Sequence, residues 1–414
     1  MVDNKSTSSS TSSAVAIIGA GPVGLYAALL MGKAGVDVHV FDKEENVIQS
    51  PRAIAYFPVV LEDFKTAGIY EDVCQAGWKN TIGASWRKPK NGGKLAHLGG
   101  NDPTKFAIHL GQHELAAVIL DHLSRLPNVS VRWNTSLERF EDLESESMVK
   151  SYFAYGPDKV PQQHVSRFLI GADGGRSTVR KLLGLPLDGF TWDDWQIIAA
   201  NVVYDMDTES DWGPANFIVD PDIWSVIAKT GKGPNWRVAT GERVIEGLTE
   251  GSWDEEEGLK RTRQRLAALL PGNTDKAEIV KISPYKMHQR CAPSFRQGSV
   301  VLAGDAAHLT NPIGGLGLTT GLMDASLLGH VLNRILVDGQ PSSLLDVYAE
   351  KRRAVFVDFT SPTATANRQR LLGTDLETLK EREDFFAKIN KPDIPFLKQM
   401  FESEMGVYSN PETI

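Results

Sequence analysis

The sequence predicts an α/β fold: a nucleotide-binding layer of strands and helices, a mostly antiparallel β-sheet inserted into it, and helices at the C-terminal end. Three observations predict it. A short apolar run, a glycine turn and a helical run open the chain at residues 14–35. The same order of strand, glycine loop and helix returns at 299–332. Between them, from about 190 to 283, lies a block of alternating runs that holds Trp192, Trp195, Trp212, Trp224, Trp236 and Trp253, six of the nine tryptophans. Strand–turn–helix units read as parallel sheet, and alternating aromatic runs read as antiparallel sheet.

The elements follow in order. Ala14–Ile18 (AVAII) has the continuous apolar pattern of a strand buried on both faces. After the turn GAGPVG, the run LYAALLMGKA reads as a helix that Gly35 stops, and VDVHVFD as a second strand ending at Asp42. FKTAGIYEDV reads as helix and turn, HELAAVILDHLSRLP as an amphipathic helix, and VSVRWN as a strand. HVSRFLIGADGG runs from strand into a glycine turn, followed by the short helix STVRKLLG. In the Trp-rich block, QIIAANVVYDM and WSVIAKT are strands. EEEGLKRTRQRLAALLP is a helix with its acids first and its bases later, as the helix dipole prefers. From about 341 the chain reads as helices. The expected organisation is a tail at 1–13, a nucleotide-binding domain from 14–77, 108–185 and 284–345, a substrate domain from 78–107 and 186–283, and a helical region at 346–414.

Composition narrows the function. The 414 residues are too many for one small core, and 42% apolar with 23% charged residues is ordinary globular usage. Lys plus Arg number 44 against 52 Asp plus Glu, a net charge of −8, so no basic stripe is available for nucleic acid. Two cysteines, Cys74 and Cys291, make neither a disulfide framework nor a Cys-rich metal site, and the expectation is a reduced, cytoplasmic protein with no metal. Residues 14–32 carry no charge, but Gly19, Gly21, Gly24, Gly32 and Pro22 break them into strand, turn and helix, so no membrane span is expected. NKSTSSSTSS, at 4–13, cannot bury apolar surface and is expected to be disordered.

Three motifs carry chemistry. In the first, Gly19 permits a tight turn, Gly21 lets a pyrophosphate approach the backbone, and Gly24 lets the helix pack close. The helix N-terminus holds the phosphates, and Asp42 stands where a carboxylate accepts bonds from a ribose diol. The ligand expected is an ADP-containing dinucleotide. In the second, Asp305 follows the strand SVVLA, and Gly314, Gly315 and Gly317 open a helix. A strand-end carboxylate binds a polyol, and a glycine loop at a helix N-terminus offers N–H groups to a developing anion. A flavin needs both. The bland readings are an N-cap for Asp305 and a satisfied structural histidine for His308. The third, Gly171-Ala-Asp173-Gly174-Gly175-Arg176-Ser177, places an acid and a base at a strand-to-helix turn, which capping alone would also explain.

In this order and spacing, GAGPVG with Asp42, GADGGRS and GDAAH…GGLG resemble the single-component (class A) FAD-dependent aromatic hydroxylases, the para-hydroxybenzoate hydroxylase-like family, over roughly residues 14–350. The resemblance implies a Rossmann-like FAD-binding domain with the inserted sheet as substrate domain. It implies FAD bound through Gly19, Gly21, Gly24, Asp42, Arg52, Gln112, Asp173, Asp305, Gly317, Leu318 and Thr319, with NADPH or NADH as a transient reductant. In the family, dioxygen adds at flavin C4a and the hydroperoxide oxygenates an electron-rich ring, so no amino-acid nucleophile is required. Two positions depart from the family pattern. Thr310-Asn311-Pro312 stands where two prolines are usual, and Thr319 where Asn is usual. A single dinucleotide fingerprint agrees with a nicotinamide that binds only transiently. For the insert, Trp224, Lys229 and Arg237 are the substrate-pocket candidates for a flat phenolic ring, against the reading of core Trp and solvated cations. The alternatives are another flavin chemistry (halogenase, or dehydrogenase without oxygen transfer) and a non-catalytic flavin-binding protein. WDDWQII has the wrong spacing for a halogenase Trp-x-Trp-x-Ile segment. The assembly expected is a monomer or homodimer.

Overall fold

The structure, a computed structural model, describes residues 10–50, 52–90, 92–100, 106–245 and 253–391. Strand β1 (Ser10–Ile18), helix α1 (Pro22–Lys33) and strand β2 (Val38–Phe41) form the opening unit. Val15, Ala16 and Ile17 have no exposed surface, so the apolar run is buried on both faces. β1 is the centre of a sheet whose main path runs Arg296–Gln297, Val300–Leu302, Val160–Gly171, β1, β2, Val129–Arg132. From Val300–Leu302 to Val129–Arg132 every neighbour is parallel. Thr135–Leu143 and Met148–Tyr155 extend the strand Val160–Gly171 as an antiparallel pair.

One expectation needs correction. The tail was expected to be disordered through Ser13, but β1 begins at Ser10, and Ser10–Ser13 pair in parallel with Gln163–Ser166. The reason is local: Thr11 Oγ1 and Ser13 Oγ bond the two ring nitrogens of buried His164, each at 2.8 Å. Polar residues can enter a strand when a buried partner meets their hydrogen bonds. Residues 1–9, and 392–414 of the C-terminal region, lie outside the described residues.

The second sheet runs His308–Leu309, Glu278–Cys291, Asp188–Val203, Asn235–Arg243, Ser225–Lys229, Ala215–Ile218, Ala84–Arg87, Lys94–Leu98. It is antiparallel throughout except where Ala215–Ile218 lies parallel to Ala84–Arg87. One face packs Trp236, Val238 and Ile227 against Leu266 and Leu269 of the helix Glu255–Leu269. Three glutamates and the Asp254 cap, which accepts from Glu257 N at 2.8 Å, open that helix. The opposite face is partly covered by Leu371, Phe386 and Ile389 from the C-terminal helices Ser361–Leu372 and Leu376–Asn390. Its uncovered part lines the same cavity as the strand ends Ile18 and Phe41 of the first sheet. Among the described residues, no helix is long and apolar enough to cross a membrane.

Candidate active site

The site begins at the first glycine turn. Gly19 has φ +110°, and a Cβ there would lie 2.3 Å from the Ala172 carbonyl oxygen. The opening turn therefore touches the turn after Val160–Gly171. A Cβ on Gly24 would lie 2.0 Å from the Gly19 oxygen, so α1 starts packed onto its own loop. Gly21 differs: a Cβ there would have nothing within 4 Å. Its open side is the space a close backbone approach by a ligand needs. Asp42 ties the end of β2 to this loop, accepting from Ala20 N at 2.6 Å and Glu44 N at 2.9 Å.

The second glycine loop meets the first. Val23 of α1 would touch a Cβ on Gly304 at 3.0 Å and one on Gly321 at 2.9 Å. The helix Leu316–Leu336 therefore starts beside the start of α1. Its first turn has N–H groups without intrahelical acceptors, and Gly315 (φ +68°), Gly317 and Leu318 line the same space as Gly19 and Gly21.

That space is one continuous cavity of about 1360 Å³. A pocket for one drug-sized ligand is roughly 300–1,000 Å³, so this cavity takes a dinucleotide and a second molecule. Asp42, Arg52, Gln112, Asp173, Asp305 and Arg237 all line it. Gly24 and Thr319 do not: Gly24 is spent on packing, and buried Thr319 donates its hydroxyl back to the Gly315 carbonyl at 3.0 Å.

Asp305 is exposed to the cavity, on a turn whose neighbours Gly304, Ala306 and Ala307 are buried. Burial pushes its carboxyl above the usual range, although His308 and Arg52 beside it act the other way. Hydroxyl donors from a ligand would favour its charged form. Asp173 also lines the cavity, but its oxygens already accept from Ser177 Oγ at 2.5 Å, Thr178 N at 2.6 Å and Val179 N at 3.3 Å. It takes up the first N–H groups of the helix Thr178–Leu182, whose N-cap is Ser177, and burial raises its carboxyl despite these bonds. Arg180 locks this turn to the second loop, donating to the Ala306 carbonyl at 2.9 Å and the Gly175 carbonyl at 3.0 Å.

Behind Asp305 lies a buried ion network. Asp324 Oδ2 accepts from Gly304 N at 2.9 Å and from His308 Nε2 at 2.7 Å, while Oδ1 accepts from Arg352 Nε at 2.6 Å. Burial disfavours the Asp324 carboxylate, but His308 and Arg352 outweigh it and hold the carboxyl below its usual range. His308 stacks on Phe356 at 4.8 Å and is wholly interior, which is the structural reading of that residue.

The rest of the cavity is walled by the second sheet. Val226 and Ala228, Arg237 and Ala239, and Lys281, Ser283 and Tyr285 line it with the two-residue period of one sheet face. Ala228 sits opposite Arg237, and Val226 opposite Ala239, so small residues make a flat floor beside one guanidinium. Arg237 donates to Asn201 Oδ1 at 2.8 Å and lies beside the Tyr285 phenol. Burial raises the Tyr285 phenol against the pull of Arg237 and Arg52.

Two substrate-pocket candidates are corrected. Lys229 follows Ala228, so strand parity sends it to the other face, where its ammonium donates to Asp207 Oδ2 at 2.6 Å and lies over Trp78 and Trp236. Trp224 has no exposed surface. Its ring fills the space above Gly241, where a Cβ would lie 2.0 Å from Trp224 Cε2, and it is shielded by Trp195 and Arg368. Neither lines the cavity. Sequence reasoning missed Tyr285 and His109; the alternation Lys281, Ser283, Tyr285 was the available signal for the first.

Residues 12–361 match the family model of an FAD binding domain. Para-nitrophenol 4-monooxygenase of Pseudomonas sp. (strain WBC-3) is 38% identical over 361 residues, 85% of this chain and 86% of that protein. The 6-hydroxy-3-succinoylpyridine 3-monooxygenase of Pseudomonas putida (strain DSM 28022 / S16) is 37% identical over 363 residues, 86% of this chain and 88% of that protein. The crystal structure of p-nitrophenol 4-monooxygenase from Pseudomonas putida DLL-E4 superposes with a TM-score of 0.86 at 34% identity, covering 97% of this chain and 99% of that one. With two glycine loops in one crevice and a second-sheet wall across it, these likenesses place the chain among the single-component FAD-dependent aromatic hydroxylases: it is a flavoprotein monooxygenase with FAD as its cofactor.

Proposed function

We propose that the chain uses NAD(P)H and O2 to hydroxylate a phenolic small molecule, held as its anion against the second sheet. One observation carries this: Arg237 and Tyr285 stand on a small-residue floor inside the cavity that the two glycine loops also line. The residues fit FAD. The open side of Gly21 admits the pyrophosphate, Asp42 the ribose, Asp305 the polyol chain, and the first turn of Leu316–Leu336 the ring edge where charge collects on reduction. When bound, the flavin supplies the redox and oxygen-transfer chemistry.

The protein's own part is positional and electrostatic. Tyr285 lines the cavity beside Arg237, where its O–H can donate to a substrate oxygen. Arg237 and Arg52 lower the energy of an anionic ring, so the phenolate, the more electron-rich form, is favoured in place. Ala228, Ala239 and Ser283 leave room for a planar ring, and Phe217 walls its side. The likeness to enzymes named for p-nitrophenol and a hydroxypyridine supports a small ring bearing an acidic hydroxyl. Two unpaired cysteines support a cytoplasmic location.

The test is direct. The purified protein should be yellow, and its NAD(P)H oxidation should quicken on addition of a para-substituted phenol, with one oxygen gained in the product by mass. Phenol-independent oxidation, with no oxygen in any product, would remove the monooxygenase reading.

A further inference from the structure

The loop Thr310-Asn311-Pro312 lacks one of the family's two prolines, yet it must hold Gly314–Leu318 at a fixed height in the cavity. Its rigidity comes from elsewhere. Gln289, on the strand Glu278–Cys291, is 3% exposed and uses both ends of its amide. Its Oε1 accepts from Thr310 Oγ1 at 2.7 Å, Asn311 N at 2.7 Å and Asn311 Nδ2 at 3.4 Å. Its Nε2 donates to the Ser361 carbonyl at 2.8 Å and to Ser361 Oγ at 3.0 Å. One side chain thus joins the second sheet, the cavity loop and the start of the helix Ser361–Leu372.

Two further bonds complete the brace. Asn311 Oδ1 accepts from Ile313 N at 3.0 Å, and Asn367 Nδ2 donates to the Ile313 carbonyl at 3.3 Å. Thr310 and Pro312 face the cavity, while Asn311 points inward with no exposed surface. The six-residue π-helical turn Val355–Thr360 just before Ser361 sets where the acceptor of Gln289 lies.

We propose that Gln289 is a positioning residue, which sets the height of the loop 310–317 against the flavin and so couples NAD(P)H consumption to ring oxygenation. This rests on the reading that FAD and substrate share this cavity. No donor to the flavin comes from Gln289 itself. It acts by fixing the loop that precedes the helix N-terminus, where small displacements change how well preorganised N–H groups meet developing charge.

The experiment compares parent holoenzyme with Gln289→Leu and Gln289→Glu, loaded with FAD and assayed with one para-substituted phenol. Gln289→Leu should keep FAD through the nucleotide end but show a shifted visible flavin spectrum and a lower flavin midpoint potential. Its ratio of hydroxylated product to NAD(P)H consumed should fall severalfold, because loss of a single preorganised donor slows such a step by about 10²–10³. Gln289→Glu keeps the acceptor for Thr310 and Asn311 and should recover much of that ratio. Parent-like spectrum, potential and coupling in Gln289→Leu would overturn the proposal. So would a failure of Gln289→Glu to differ from Gln289→Leu, which marks a merely structural role. If Gln289→Leu does not fold, Thr310→Val removes one of these bonds from the loop side and must lower coupling in its place. A parent that binds no FAD would instead overturn the reading of the cavity.

Discussion

His164 and His109 are neutral because of where they sit. Burial pushes His164 down to about 3, helped by His39 and Arg132, and pushes His109 down to about 4 against a bond to the Lys229 carbonyl. The ordinary value is 6.5. Below it the unfolded chain takes up protons that the folded chain refuses, so stability is full above pH 6.5 and falls as the pH drops towards 4. For His109 alone the depression corresponds to roughly 3 kcal/mol. Urea midpoints measured from pH 7.5 to 5 should fall steadily, and His164→Asn should flatten the slope even though it lowers the midpoint at pH 7.5. Equal slopes for the two proteins would show that His164 is not the titrating group.

Among the elements, the glycine turns separate ligand contact from packing. Gly21→Ala puts its methyl into open space and should leave the apoprotein's unfolding midpoint unchanged while weakening FAD retention. Gly24→Ala drives a methyl into the Gly19 carbonyl and should cost about 1–3 kcal/mol of apoprotein stability as well. Flavin-to-protein absorbance after gel filtration, with thermal melts of both apoproteins, reads the two effects. These glycines were legible in the sequence because a tight turn and a close approach are local demands on a single residue. Asp42 and Asp305 were legible because a carboxylate just past a buried strand has few other uses. The substrate wall was less so. In a sheet buried on both sides, alternation shows that neighbours such as Ala228 and Lys229 face opposite ways, but neither how one strand registers on the next nor which way is the cavity. Only the packing of Trp236 under the helix Glu255–Leu269 decides that. Gln289 was unreadable for a related reason: its partners at 310, 311 and 361 meet only after the whole chain has folded.

Across the whole molecule, the C-terminal helices hold the cofactor site together without lining its nucleotide end. Arg352, wholly buried on the helix Leu344–Ala354, pairs with Asp324 behind Asp305, and its NH2 donates to the Thr320 carbonyl at 3.0 Å. Removing one partner of a buried pair costs about 3–5 kcal/mol, because the other charge stays buried. Arg352→Met should lower the urea midpoint accordingly and loosen FAD, whereas loss of stability with unchanged flavin affinity would uncouple the network from the site. The shared crevice also has a consequence for biosynthesis. Gly304 leans on Val23, about 280 residues before it in the chain. At about 5–20 residues per second a ribosome takes roughly 15–60 s to travel between them. Throughout that interval the nascent chain carries half a nucleotide cradle, so flavin loading must wait for the second loop, and a polypeptide terminated before it would emerge colourless.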